Sequence, residues 1–134
     1  MTQIQLLRPD GLVMSDAFSH AAVVPPGATT VYVGGQNAVD ATGTLVGGDD
    51  VASQTRQVMT NLATALAAAG VGIEHLVQVT VLLVDGVDIQ AAYGAAAASL
   101  GAATTQPLVT AALVSGLGVP GALVEVSAVA AVVR

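Results

Sequence analysis

With 134 residues, 54% of them hydrophobic and only 9% charged, the chain is long enough for one core. It carries too little charge to cover a monomer's whole surface, for which about 25% is usual. The net charge of −6, with Arg8, Arg56 and Arg134 as the whole basic complement, leaves almost no cationic footprint for a phosphate backbone. The lack of cysteine excludes disulfides, thiolate nucleophiles and cysteine-based zinc sites, and His20 and His75 alone make a poor metal set.

No run reaches the roughly 18 apolar residues of a membrane span, and Met1 to Asp10 lacks the charged-then-apolar order of a signal peptide. The expectation is one domain over residues 1–134, cytoplasmic, with neither nucleic acid nor membrane as partner.

In chain order, 18–24 and 30–36 read as strands joined at Pro25-Pro26-Gly27, and a hairpin is expected there. Residues 40–50 gather turn formers and end on carboxylates suited to cap a helix. From Val51 to Ala69 the apolar residues Val51, Val58, Leu62, Leu66 and Ala69 fall on one helical face, and Gly70 suits the stop.

His75 to Val84 is rich in β-branched residues, with Val77, Val79, Val81 and Leu83 alternating against Gln78, Thr80 and Leu82, and reads as a strand. The Ala-rich stretch from Asp88 to Leu100 reads as a second helix, with Asp85 or Asp88 near its start and Gly101 at its end. Pro107 opens a fifth strand, and 122–133 form a last one.

The order is β-β-α-β-α-β-β, an α+β chain whose two helices cover one face of a sheet. In the last strand Ala122, Val124, Val126, Ala128, Ala130 and Val132 suit the covered face. The opposite face carries Gln78, Thr80, Leu82, Glu125, Ser127 and Val129, too apolar for water yet dotted with polar groups, so burial against further copies of the chain is expected.

Several segments together resemble the Rid/YjgF family of reactive-intermediate deaminases. Gly34-Gly35-Gln36 is similar to its "SGQ" strand end, and Thr42-Gly43 to its "TG" turn. Asp50, Gln54, Arg56, Gln57 and Asn61 match its helix run, Val77 and Thr80-Val81 its "V-x-x-T-V" strand, and Tyr93 its helix tyrosine. The closing Pro120-Gly121-Ala122-Leu123-Val124-Glu125-Val126-Ser127-Ala128 resembles "P-x-x-x-LVE-x-x-A" with one residue fewer between Pro and Glu.

The resemblance implies a fold like bacterial chorismate mutase, three subunits forming a barrel-like centre, small-molecule pockets between subunits and no cofactor. It also implies hydrolysis of enamines or imines to a carbonyl compound and ammonia. Such members use an arginine fork for the substrate carboxylate, backbone N–H donors, and a glutamate that handles water. The arginine position, two residues after Pro107, is Val109 here, and neither Leu108 nor Thr110 replaces the fork. Arg8 or Arg134 would serve only if a chain end reached the pocket.

Other pocket positions implied by the resemblance are Gly35 for backbone donation, Thr110-Ala111 after the arginine position, and Glu125 as the water-handling carboxylate. Phe18 stands where a tyrosine is usual and Gly34 where a serine is, so two hydroxyls are gone. Glu125 is the leading acid–base candidate, since a carboxylate among apolar neighbours at an interface is suited to proton transfer. A purely structural hydrogen bond is its alternative.

His20, two residues past Phe18 on the same strand side, is the second proton-exchange candidate, against a structural role in an apolar strand. Gln36, Asn37 and Tyr93 are pocket candidates, although a Gln-Asn pair also completes turns. Ser19, Ser127 and Thr110 have no triad or elbow motif around them, which argues against covalent catalysis. The functional expectation is a cofactor-free enzyme that hydrolyses or tautomerises a small imine, enamine or related unsaturated molecule without the usual carboxylate clamp. The alternative is a non-catalytic trimer that binds a small molecule or a protein partner.

Overall fold

The computed structural model describes residues 2–101 and 105–134. Along these the elements run β1 (Gln5–Leu7), β2 (Ala21–Val23), β3 (Thr29–Gln36), α1 (Val51–Ala68), β4 (Leu76–Val84), α2 (Ile89–Leu100), β5 (Leu108–Val114) and β6 (Val124–Val132). A single 3-10 turn, Ile73–His75, leads into β4; within it His75 Nδ1 accepts from the Gly72 N–H at 3.0 Å.

The main sheet has the order β3-β6-β4-β5. Its β3/β6 and β6/β4 pairs are antiparallel and its β4/β5 pair is parallel, the parallel step being made by the α2 crossover. Alternation sorts the residues as expected: Val124, Val126, Ala128 and Ala130 are buried on the helix side, while Glu125, Ser127 and Val129 are half-buried on the other. The α+β class with two helices on one sheet face is therefore the observed architecture.

The expected hairpin is not formed. β2 pairs with β1, Leu7 opposite Ala21, in a separate two-stranded sheet, and β3 pairs with β6 instead. The turn explains this. Pro26 stands at its second position and Gly27, at φ +85°, at its third, with the Ala28 N–H reaching the Pro25 carbonyl at 3.3 Å. These are features of a type II turn, which splays its flanking strands where the primed turns would pair them. The short β1 was not read from the sequence, because three residues of mixed polarity carry no periodic signal.

α1 buries Val51, Thr55, Val58, Met59, Leu62 and Leu66 along one face, at the spacing of helix turns. Ala69 does not extend that face: it follows the last helical residue and is exposed, and Gly70 at φ +75° ends the helix. Full burial of Leu62 and of Leu66 each stabilises by about 2 kcal/mol. At the start of α2 the Asp88 carboxylate accepts from the Ala91 N–H at 3.1 Å, an N-cap. Among the described residues no helix is long and apolar enough to cross a membrane.

Candidate functional site

β6, paired on both sides, positions the central candidate. Glu125 is half-buried on the sheet face away from the helices, in one row with Leu82 of β4 and Ala112 of β5. Beside it the β3/β6 register slips: Val33 pairs with Ala128 but Gln36 pairs with Val126, so Gly34 and Gly35 together oppose a single residue. This bulge takes backbone out of the regular ladder next to the carboxylate.

Glycine at position 35 leaves room for the carboxylate, since a Cβ there would stand 2.7 Å from Glu125 Oε2. Gln36 spans the same bulge, its Nε2 donating to the Gly34 carbonyl at 3.1 Å. Asn37 donates from Nδ2 to the Val124 carbonyl at 3.3 Å, and its own carbonyl accepts from Asn61. Thr110, paired with Thr80, lies on this same open face.

The other candidates lie across the sheet. Phe18, Tyr93, Val109 and Ala111 line a cavity of about 490 Å³ between the helices and the sheet. Its floor is Val79, Val81, Val124 and Val126, its α1 wall Thr55 and Met59, and its α2 wall Ala92, Ala96, Ala97 and Leu100. The two groups of candidates are therefore separated by the thickness of the sheet: Glu125, Gly35 and Thr110 on one side, Phe18, Tyr93, Val109 and Ala111 on the other.

His20 is held by its surroundings. Its Nε2 donates to the Val13 carbonyl at 2.7 Å, its backbone N–H to the Leu7 carbonyl at 2.9 Å, and its ring meets Phe18 edge-on at 5.4 Å. Buried Ser19 ties this segment to the start of β5, its hydroxyl donating to the Gln106 carbonyl at 2.7 Å and its N–H to the Pro107 carbonyl at 3.1 Å.

The residues of the helix run are mainly structural. Gln54, fully buried, donates to the carbonyls of Gly48 and Gly121 at 2.7 and 3.0 Å and accepts from the Leu123 N–H at 2.8 Å, fixing the entry to β6. Arg56 donates to the Ser53 hydroxyl, and the same hydroxyl, donating to Asp50 at 2.6 Å, holds that carboxyl below its ordinary range. Arg134 donates to the Ala69 carbonyl at the end of α1. Arg8 approaches Asp16 at 3.9 Å, and Asp16 lies on the cavity lining.

The sequence reading missed the α2 wall. Its signal was Ala92 and Ala96, four residues apart in a helix whose fully buried positions are both alanine, Ala92 and Ala95. Small residues on the inner face of a crossover helix leave volume unfilled.

A mixed four-stranded sheet with two helices on one face is the fold of an L-PSP/YjgF-type domain. The family model described as Endoribonuclease L-PSP matches residues 11–132, and the chain belongs to that family, the Rid/YjgF family. YyfB from Yersinia pestis, a protein of unknown function of the conserved Rid family, superposes with a TM-score of 0.83 at 30% identity, covering 98% of this chain and 100% of that one. The YjgF gene product of E. coli superposes with a TM-score of 0.68 at 27% identity over 80% of this chain and 83% of that one. Rv2704 from Mycobacterium tuberculosis, of the YjgF/YER057c/UK114 family, gives 0.64 at 25% identity over 97% and 100%. Among curated protein sequences none matches.

Proposed function

We propose that the chain is a cofactor-free, cytoplasmic Rid-family enzyme that hydrolyses or tautomerises a small imine or enamine, working as a homotrimer with sites between subunits. The observation that carries this is the Glu125 carboxylate lying against the Gly34-Gly35 bulge, an acid–base group beside backbone released from its ladder. Glu125 takes a proton from water as the oxygen adds to the C=N carbon and passes a proton to nitrogen. The carbinolamine then expels ammonia and leaves the carbonyl compound. For an enamine, protonation at carbon comes first and gives the imine.

The separation of the candidates by the sheet supports the oligomer. A site that uses both Glu125 and the Phe18–Tyr93–Val109 group needs them from different copies. β5 gives further support: most of its residues are exposed, Leu113 at 52% among them, and an apolar edge strand of this kind favours association.

The test is ammonia release from imines generated in situ, with and without a carboxylate, on wild type and Glu125→Gln. Turnover of the uncharged class, lost in the variant, is the expected result; no ammonia from either class sinks the hydrolysis, and absence of imine–enamine exchange as well sinks the enzyme. A second reading, a binding protein without turnover, is supported by Val109, which stands where the resemblance places the family's carboxylate fork. The ribonuclease activity in the family's description fits this chain poorly, because its net charge is −6 and its three arginines meet Asp16, Ser53 and Ala69.

A further inference from the structure

We infer that the cavity beneath α2 is a binding chamber for a neutral, apolar small molecule, and that Val109 and the α2 alanines set this specificity. The inference rests on the function proposed above only in calling the occupant a substrate. The chamber itself lies within one chain and needs neither Glu125 nor an oligomer.

Three observations converge. The first is size: about 490 Å³ falls within the roughly 300–1,000 Å³ typical of small-molecule sites. The second is depth. The lining reaches Val124 and Val126, each 1% exposed, Ala92 at 2% and Met59 at 4%, so the space penetrates to the core. Among its described lining residues Ala97, Gly101, Val109, Tyr93 and Asp16 are exposed, so the space also reaches the surface.

The third is polarity. Among the described lining residues the one formal charge is the carboxylate of Asp16, with the Arg8 guanidinium 3.9 Å from it. Thr55 contributes no available donor, its hydroxyl being given to the Val51 carbonyl at 2.7 Å. An anion entering this space would lose its hydration and find a valine where a cation is needed. A neutral molecule with an apolar body loses little and gains contact with the valine, alanine, methionine and leucine side chains that make up most of the lining, Tyr93 and Gln106 being its other neutral polar side chains. Ala96, on α2, faces the chamber from a half-buried position, so a longer side chain there fills the space where the ligand would lie.

The test uses the full-length protein and the neutral dye N-phenyl-1-naphthylamine, whose fluorescence rises in apolar surroundings. Saturable dye binding is expected, with displacement by 1-octanol at a concentration at least tenfold below that needed for octanoate. Ala96→Leu should weaken dye binding tenfold or more. Ala97→Leu, at an exposed lining position, repeats the test should the first variant fail to fold. Val109→Arg should improve octanoate competition about tenfold. Equal competition by octanoate in the wild type, or unchanged dye binding in a folded chamber-filling variant, overturns the inference. Glu125→Gln should bind the dye like the wild type, so loss of turnover and loss of binding fail separately.

Discussion

Glu125 and Gly35 form a contact pair in which one residue's missing side chain is the other's space: a Cβ at position 35 would come within 2.7 Å of Oε2 and 2.8 Å of the carboxyl carbon. The obstacle is the far end of a flexible side chain, and Gly35 is not in the left-handed backbone region. Gly35→Ala is therefore expected to fold with a melting temperature near that of the wild type while swinging the carboxylate aside. On any imine the wild type turns over, kcat/KM should fall at least tenfold, about 1.4 kcal/mol at the transition state. A variant of unchanged activity would show that the carboxylate position is not what matters.

Gln54 makes three hydrogen bonds from a fully buried position. Gln54→Leu keeps the volume but deprives the Leu123 N–H and the Gly48 and Gly121 carbonyls of this partner. Urea unfolding should show a loss of about 3 kcal/mol. A loss below about 1 kcal/mol would mean that water takes over the side chain's role.

Asp40 and Asp50 set an acid-side limit on stability. The Thr42 hydroxyl, aided by the Thr44 and Thr42 amides, holds the Asp40 carboxyl below its ordinary range, as Ser53 does for Asp50. A depressed carboxyl stabilises the fold above its unfolded value of about 3.9 and loses that contribution as pH falls through the folded one. Asp50 is exposed and Asp40 half-buried, both within reach of solvent, so the effect is small. Asp40→Asn should be less stable than the wild type at pH 6, and the difference should shrink in melts as pH falls below the unfolded value of about 3.9. A difference that does not change with pH would be steric in origin.

Ser19 joins the N-terminal segment to β5 through both its backbone and its hydroxyl. Ser19→Ala removes the 2.7 Å bond from a site 3% exposed and should cost about 1 kcal/mol. Amide exchange should quicken selectively at the start of β5. Uniform quickening across the sheet would indicate a global effect instead.

The sequence made the helices and the central strands legible because their apolar residues recur with a clear period. Leu62 and Leu66 mark a helix face, and Val124 to Ala130 a strand face. Glu125 was legible as a polar residue on the alternate register. The pairing partner of β2 was not legible, since Pro-Pro-Gly announces a turn without saying whether its arms meet. Nor was the chamber: alanines favour a helix and fill little space, and only the placement of α2 above Val79 and Val126 turns the second property into volume. That Glu125 and Val109 face opposite sides of the sheet follows from the odd-and-even register across three strands, which single-strand patterns do not convey.

That register makes β5 a strand with two independent readouts. Val109 and Ala111 border the chamber, while Thr110 and Ala112 share the open face with Thr80 and Leu82. On the proposed chamber and trimer, substitutions at the odd positions would retune what the domain accepts, and substitutions at the even positions what it assembles with. Ligand preference would then diversify along this strand with the proposed subunit contacts held constant, a division of labour written in alternate residues of one seven-residue segment.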